Sequence, residues 1–473
     1  MTGDLVYLGI EELSRGYRQK SFSPVDAVEA VLAQIERENP ILNAFLQVGS
    51  NQAMADARAA EKDIRSGRWR GWLHGIPVSV KDLFFSRGIP TTGGSPFFQD
   101  YRPAFDSTVV ARLKDAGAVI VGKTNLHELA YGVTNENRHF GACRNPWDPE
   151  RIPGGSSGGS AVSVAAGMSV VSYGTDTGGS IRIPASYCGV TGLKPTFGRI
   201  SRHGVIPLST TLDHPGSFGR SVRDAAIAAE VVSGRDPADP SSIRAEAPTW
   251  SASLLEPSVK GWVAGFLSGP FVKDVCAPME SAMRAAAGTL TEAGVHVEAV
   301  ELEDAFEAGE VAHLIQMADG AAIHHQRLRK QPEQFSEDVR ILLEQGHLIS
   351  AVDYINAQRL RRVFQRKLNK LFDRFQALLL PATPVAAPLI GQECIDWETH
   401  RESVGGASTR LVRPFNLAGV PVLTVPCGFT EAGLPLGMQI VTRAGDELGG
   451  LRLGEAFERR TAWHLRRPPL IPG

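Results

Sequence analysis

Between Ile152 and Pro195 the chain reads IPGGSSGGSAVSVAAGMSVVSYGTDTGGSIRIPASYCGVTGLKP, with two Gly/Ser clusters, Gly154 to Ser160 and Thr175 to Ser180, either side of a run of small residues. A stretch so rich in glycine and serine reads first as a flexible linker. Val162, Val164, Val170, Val171, Ile181 and Ile183 are threaded through it, however, so it has apolar surface to bury where a linker has none. Glycines in a packed segment serve where the backbone comes close to another group or takes a positive φ. Beside so many hydroxyls, that is the composition of an active site.

The chain around this stretch alternates strand and helix signals. Ser23-Pro24-Val25-Asp26 predicts a helix start, with Val25, Val28, Leu32 and Ile35 on one face and Asn39-Pro40 as its stop; a second helix is expected over Ala53 to Ser66. From Gly75 to Asp82, Ile76, Val78 and Val80 point one way and Pro77, Ser79 and Lys81 the other, which predicts a strand ending at Lys81. Taken alone, Lys81 would be an exposed lysine at a strand end. Ser107 to Ala116 predicts a helix and Ala118 to Val121 a strand, so the match of Gly117 to Thr124 to the phosphate-loop pattern GxxxxGK[ST] falls on buried strand rather than on a loop that could cradle an anion.

Gly204 to Gly216 reads as a loop. From about 233 to 375 the chain is richer in good helix formers, with helices expected over Met279 to Glu292, Ala305 to Leu348 and Lys367 to Phe375. A strand over Ala377 to Leu380, a strand pair over Val420 to Pro426 and Leu436 to Thr442, and a closing helix over Glu447 to Thr461 complete the pattern. The expected architecture is an α/β fold spanning 1–473 as a single large domain, its central mixed, mostly parallel twisted sheet covered by helices on both faces.

Charge and cysteine usage narrow the function. A net charge of −2 with 21% charged residues gives no cationic excess for nucleic acid or anionic lipid. The best apolar run, Leu378 to Ile390, is broken by Pro381, Pro384 and Pro388 and is too short to span a bilayer. Five scattered cysteines without a CxxC pair argue for thiols in a reducing compartment rather than a disulfide framework or a zinc site. With no basic start and apolar run in MTGDLVYLGIEELSRGYRQK, a cytoplasmic location is expected.

Read together, GGSSGGS (Gly154 to Ser160), GTDTGGSIRIPA (Gly174 to Ala185) and CGVTGLKPT (Cys188 to Thr196) resemble the central motif of the amidase signature family of serine amidohydrolases, and the likeness extends to Lys81-Asp82 and Pro381 to Pro384. The resemblance implies Ser180 as nucleophile, Ser156 as a bridging serine after a cis peptide bond, and Lys81 as general base. It implies an oxyanion hole of the backbone amides of Thr177, Gly178, Gly179 and Ser180, with Ser157, Asp176 and Arg182 holding the loops. The implied reaction is hydrolysis of a small carboxylic amide, or an ester, to acid plus ammonia or amine through an acyl-enzyme on Ser180, with no metal or cofactor. Tyr131, with Thr91 to Phe98, Trp147 and the helix-rich middle, is placed around the acyl pocket as a substrate-binding residue. The expected partner is a small-molecule amide, with a homodimer left open.

To act as a base, Lys81 must be neutral; bringing a lysine from about 10.4 to about 7.5 costs about 4 kcal/mol, so a desolvated site is expected. Beyond a non-catalytic binding module, which the joint presence of Lys81, Ser156 and Ser180 argues against, two alternatives compete. Gly154 to Gly158 and Gly155 to Gly159 both fit the GxSxG hydrolase elbow, but Arg151-Ile152-Pro153 supplies no preceding strand and neither His203 nor His214 is signalled as the base. The other is the glutamine-hydrolysing subunit of a tRNA-dependent amidotransferase complex; Thr211 to Gly216, TLDHPG, departs from the LDQIGP of that subunit, which favours a free-standing amidase.

Overall fold

Strands buried on both faces lose the alternation of a half-exposed strand and need helices above and below. The computed structural model, which describes residues 5–254 and 257–469, gathers eleven strands into one such sheet. Met1 to Asp4, the first residues of the N-terminal segment read above, lie outside the described residues. The strands are β1 (Phe45–Val48), β2 (Pro77–Lys81), β3 (Val119–Thr124), β4 (Val171–Asp176), β5 (Thr191–Lys194), β6 (His214–Gly219), β7 (Val263–Ser268), β8 (His296–Glu301), β9 (Ala377–Pro381), β10 (Val422–Phe429) and β11 (Pro435–Val441).

Their spatial order is β1-β3-β2-β4-β6-β5-β10-β11-β9-β7-β8. The sheet is mixed, with parallel pairing concentrated in two blocks, β3-β2-β4 and β9-β7-β8. Antiparallel pairs join the blocks through the middle, and β1 runs antiparallel on the edge of β3.

Helices cover both faces. α1 (Pro24–Leu42), α2 (Ser50–Arg65), α3 (Thr108–Asp115), α4 (Gly158–Ala165), α5 (Arg182–Cys188) and α6 (Val222–Val232) accompany the first block; α7 (Ala277–Glu292), α8 (Ala305–Lys330), α9 (Glu337–Gly346), α10 (Ala351–Leu371), α11 (Arg413–Ala418) and α12 (Glu447–Glu458) accompany the second. One core joins Val78, Val80 and Tyr173 to Ile227, Met283, Met438 and Leu451; another joins Val119, Val121 and Phe218 to Val28, Ile35 and Val162. Each such fully buried valine or leucine contributes about 1.5–3 kcal/mol relative to exposure. β9 shows the two-faced burial most plainly, since Ala377 and Leu379 enter the first core while Leu378 and Leu380 pack with Ile315, Phe364 and Phe415 in a third.

Local chemistry sets several boundaries. Ser23 caps α1, its Oγ accepting from Asp26 N–H at 3.2 Å while the Asp26 carboxylate accepts from Ser23 N–H at 2.7 Å. The expected stop at Asn39-Pro40 is wrong by one turn: Pro40 sits within the helix, which runs to Leu42 and ends at Asn43 with φ 47°. A proline in the last turn removes one hydrogen bond, and Asn39 compensates by holding Phe45 through both backbone groups.

The loop expected over Gly204 to Gly216 is also corrected, because His214 to Gly216 belong to β6, paired on both sides. Its HPGSFG sequence looks like a turn, yet Gly216 is demanded by packing: a Cβ there would stand 2.2 Å from Leu193 O. β7 and β8, which close one end of the sheet, lie inside the helix-rich region and carry no strand signal in the sequence. Gly122 and Lys123 fall within β3, where Lys123 Nζ donates to Phe84 O at 2.8 Å and Thr91 Oγ1 at 2.9 Å and pairs with Asp82 at 2.9 Å. That lysine is structural. No helix among the described residues is long and apolar enough to cross a membrane.

Candidate active site

β2 and β4 are parallel neighbours, so their carboxyl ends deliver Lys81 and the Thr175-Asp176 pair to the same edge of the sheet, where open α/β sheets bind ligands. The Gly/Ser segment arrives there on its way into α4. Its glycines let it nestle against neighbouring backbone: a Cβ on Gly159 would lie 2.5 Å from Ala44 O and 2.6 Å from Asn125 N. The Gly155–Ser156 peptide bond is cis.

Lys81 is fully buried, and its Nζ lies 2.8 Å from Ser156 Oγ, 2.9 Å from Ser157 Oγ and 2.9 Å from Thr175 Oγ1. Burial pushes its pKa down from 10.5 to about 7, against the opposing pull of Asp213 and Asp176. Ser157 donates its hydroxyl proton to Thr175 O at 3.0 Å, so it receives an N–H from the lysine. A neutral amine has two N–H groups and one lone pair, which leaves one of the three contacts as a hydroxyl donating to nitrogen.

The turn that follows β4 is wound around a single carboxylate. Asp176 Oδ1 accepts from Gly179 N–H at 2.8 Å and Oδ2 from Ile181 N–H at 3.1 Å, which fixes the backbone on both sides of Ser180. Arg182 clamps the same carboxylate through Nε and Nη2, each at 3.0 Å, and donates onward to Val412 O and Gln439 Oε1. Asn416 Nδ2 adds a bond at 2.7 Å to Asp176 Oδ1. Burial raises the Asp176 pKa, but the Arg182 charge and hydrogen bonds, with Lys194 and Asn416, overrule it and hold the carboxyl well below its usual range.

This winding changes the donor set expected for the oxyanion. Gly179 gives its N–H to Asp176, whereas the amides of Thr177, Gly178 and Ser180 have no partner among the described residues. Thr177 is steadied by its hydroxyl, which donates to Asp213 Oδ1 at 2.6 Å, and Asp213 in turn accepts from Leu208 and Ser209 N–H. Ser180 is nearly buried, and no direct hydrogen bond joins its hydroxyl to Ser156 or Lys81 among the described residues. Catalytic hydrogen bonds of this kind often tighten only with substrate in place.

Tyr131 lies outside the Lys81 network, 3.4 Å from the Cβ position of Gly320 on α8, and its buried hydroxyl has no partner among the described residues. Neither histidine ring meets a serine among the described residues. His214 Nδ1 faces Leu212 O at 2.5 Å and Asp176 O at 3.2 Å, and burial beside Lys194 holds its pKa well below 6.5. His203 stacks on Phe105. No strand leads directly into the serines among the described residues; Arg151, just before them, makes an isolated bridge to Leu389. A cavity of about 930 Å³ lined by Gln47, His74, Lys114 and Lys123 lies at the β1–β3 edge and includes none of the residues expected at the site.

Thr175, Asp213, Asn416 and Gln439 were missed from sequence. Thr175 could have been found, since it sits one residue before Asp176 in the second Gly/Ser cluster. The others reach the site from distant segments, and nothing local marks them.

Comparison with known proteins shows what the chain is similar to. A family model described as Amidase matches residues 26–449. The chain is 42% identical, over 99% of both sequences, to an amidase of Pseudomonas putida. It is 37% identical, again over 99% of both, to a subunit of the glutamyl-tRNA(Gln) amidotransferase of Chloroflexus aurantiacus. A solved bacterial aryl acylamidase, described as one of the amidase signature enzymes, superimposes with a TM-score of 0.88 at 29% identity over 97% of each chain.

Proposed function

The chain belongs to the amidase signature family and hydrolyses carboxylic amides, and on that premise we propose that Lys81, Ser156 and Ser180 carry the reaction in relay. The observation that supports this most is the buried Lys81 amine, brought to a pKa of about 7 and held 2.8 Å from Ser156 Oγ.

With Ser157 engaged as acceptor, the Lys81 lone pair is available to the Ser156 proton. Lys81 takes that proton as Ser156 takes the proton of Ser180, and Ser180 Oγ bonds to the amide carbon. The carbonyl oxygen becomes an oxyanion and is met by the free amides of Thr177, Gly178 and Ser180. Collapse breaks the C–N bond; the amine leaves with a proton from Ser156, which recovers one from Lys81. Water then repeats the attack on the Ser180 ester, releasing the acid. Asp176 and Arg182 touch no substrate in this scheme; they hold the turn.

A panel of amides and esters, read for acid and for ammonia or amine, tests the reading. Turnover by wild type and none by Ser180→Ala is expected; equal turnover by both would overturn it. The 37% identity to an amidotransferase subunit supports a second reading, in which glutamine is the amide and a partner chain is required. Ammonia release by the chain alone separates the two.

A further inference from the structure

The mechanism leaves a group of polar side chains unused beside the Ser180 turn. Gly178 lies two residues before Ser180, and a Cβ built on it would stand 3.0 Å from Gln316 Oε1 and 3.7 Å from Arg413 Nε. These two side chains therefore form the wall facing the turn. Arg413 opens α11, and its Nε is sealed from solvent without a partner; no hydrogen bond or ion pair engages its guanidinium among the described residues. Gln316 is 8% exposed and likewise has no side-chain hydrogen bond among the described residues. Tyr131 is 3% exposed and its hydroxyl is buried without a partner.

Tyr131 packs against Gly320, about one turn along α8 from Gln316. The Arg413 charge acts on the Tyr131 hydroxyl and on His313, which lies on the same face of α8 as Gln316 and Gly320. Burial and that positive charge drive the His313 pKa down to about 3, so the ring is neutral. Glu310, the acidic residue that acts on Arg413, is exposed and forms no ion pair with it. The recess thus holds one permanent cation, a phenol proton, an amide and a neutral imidazole, none with a hydrogen-bond partner among the described residues.

A guanidinium stays charged at every accessible pH, and a recessed one without a counter-ion is costly. Arg413 is partly exposed, so water reaches part of it, but its sealed Nε and the Tyr131 hydroxyl are donors that a bound group with acceptors would satisfy. A carboxylate is such a group: two oxygens can take a bidentate Arg413 contact and one from Tyr131. Resting on the amidase reading above, we propose that Arg413, Tyr131 and Gln316 form a subsite for a carboxylate on the substrate, so that the preferred substrates are amides carrying an anionic group a few bonds from the scissile carbonyl. Monoamides of short dicarboxylic acids present it on the acyl side, and N-acyl amino acids on the leaving side.

The test pairs each anionic amide with a neutral one of the same length: the monoamides of malonic, succinic and glutaric acid against propionamide, butyramide and valeramide, and N-acetylglycine against N-ethylacetamide. Wild type should favour at least one anionic member, through KM. Arg413→Leu should cost that member about 100-fold or more in kcat/KM beyond its effect on the neutral partner, as expected for losing a desolvated charge pair. Tyr131→Phe should act in the same direction more weakly.

Direct binding of the preferred anionic amide to Ser180→Ala, measured by calorimetry, should disappear in Ser180→Ala/Arg413→Leu. Thermal melting guards against misfolding; Arg413→Leu should melt no lower than wild type, because it removes an unpaired charge. Ser180-dependent hydrolysis of neutral amides with no preference for their anionic partners would overturn the subsite and leave the amidase reading standing. Binding of the anionic amide without any Ser180-dependent turnover would do the reverse.

Discussion

In the proposed relay the chemistry turns on Lys81, and its titration gives two separate expectations. Activity requires the neutral amine, so the acylation rate should rise with pH through an apparent pKa near 7 and level off on the alkaline side. Lys81→Ala should lose at least about 10²–10⁴-fold in rate, while His203→Ala and His214→Ala, which hold no proton-transfer role, should be far milder. A pH profile of acylation for the four proteins checks this; a dead histidine variant beside an active Lys81→Ala would contradict it. The same lysine has a stability signature. Its folded pKa lies below the unfolded value of 10.5, so between pH 7 and 10.5 the unfolded chain binds more protons and stability rises with pH. Lys81→Met should therefore stabilise the protein, and by more at pH 7 than at pH 10, as read from denaturant midpoints.

At the scale of elements, the site depends on how closely α4 and the turn after β4 are held. Gly159→Ala would press a Cβ against Ala44 O and Asn125 N, which are backbone atoms that cannot turn aside. A cost of about 1–3 kcal/mol or more in chemical denaturation is expected for such overpacking. Arg182→Met should cost about 3–5 kcal/mol, because it leaves the fully buried Asp176 carboxylate without its principal counter-charge.

These elements also show what sequence can reveal. The alternating strand ending on Lys81 was legible from its residues, but the lysine's part in the site was legible only through the family resemblance, because alone it reads as an exposed lysine at a strand end. Ser156, Ser180 and the Asp176–Arg182 pair were legible because glycine spacing betrays close-packed backbone and because the motif resembles a known family. Asn416, Gln439 and Asp213 were not, since each contacts the site across 36 to 257 residues of chain. β6 was hidden for a related reason: its Gly216 answers to Leu193 O on a neighbouring strand rather than to a turn. β7 and β8 were hidden by a helix-forming composition that surrounds them.

The whole molecule joins two parallel blocks through an antiparallel middle, and the side chains around the Ser180 turn come from both. Lys81 and Asp176 end strands of the first block, while Gln316 on α8 and Arg413 on α11 pack with the second. No group of three or more His, Cys, Asp or Glu side chains gathers to hold a metal among the described residues. Dialysis against chelator is expected to leave amide hydrolysis unchanged, and a loss restored by a divalent ion would contradict the serine relay as the sole source of catalysis.

The central claim is that Ser180, and not Ser156 or Ser157, becomes the acyl carrier. Trapping with a fluorophosphonate followed by peptide mapping by mass spectrometry tests it directly. One adduct on the peptide bearing Ser180 is expected, localised to that residue by fragmentation and absent from Ser180→Ala. An adduct on Ser156 or Ser157 in wild type, or undiminished labelling and turnover in Ser180→Ala, would contradict it.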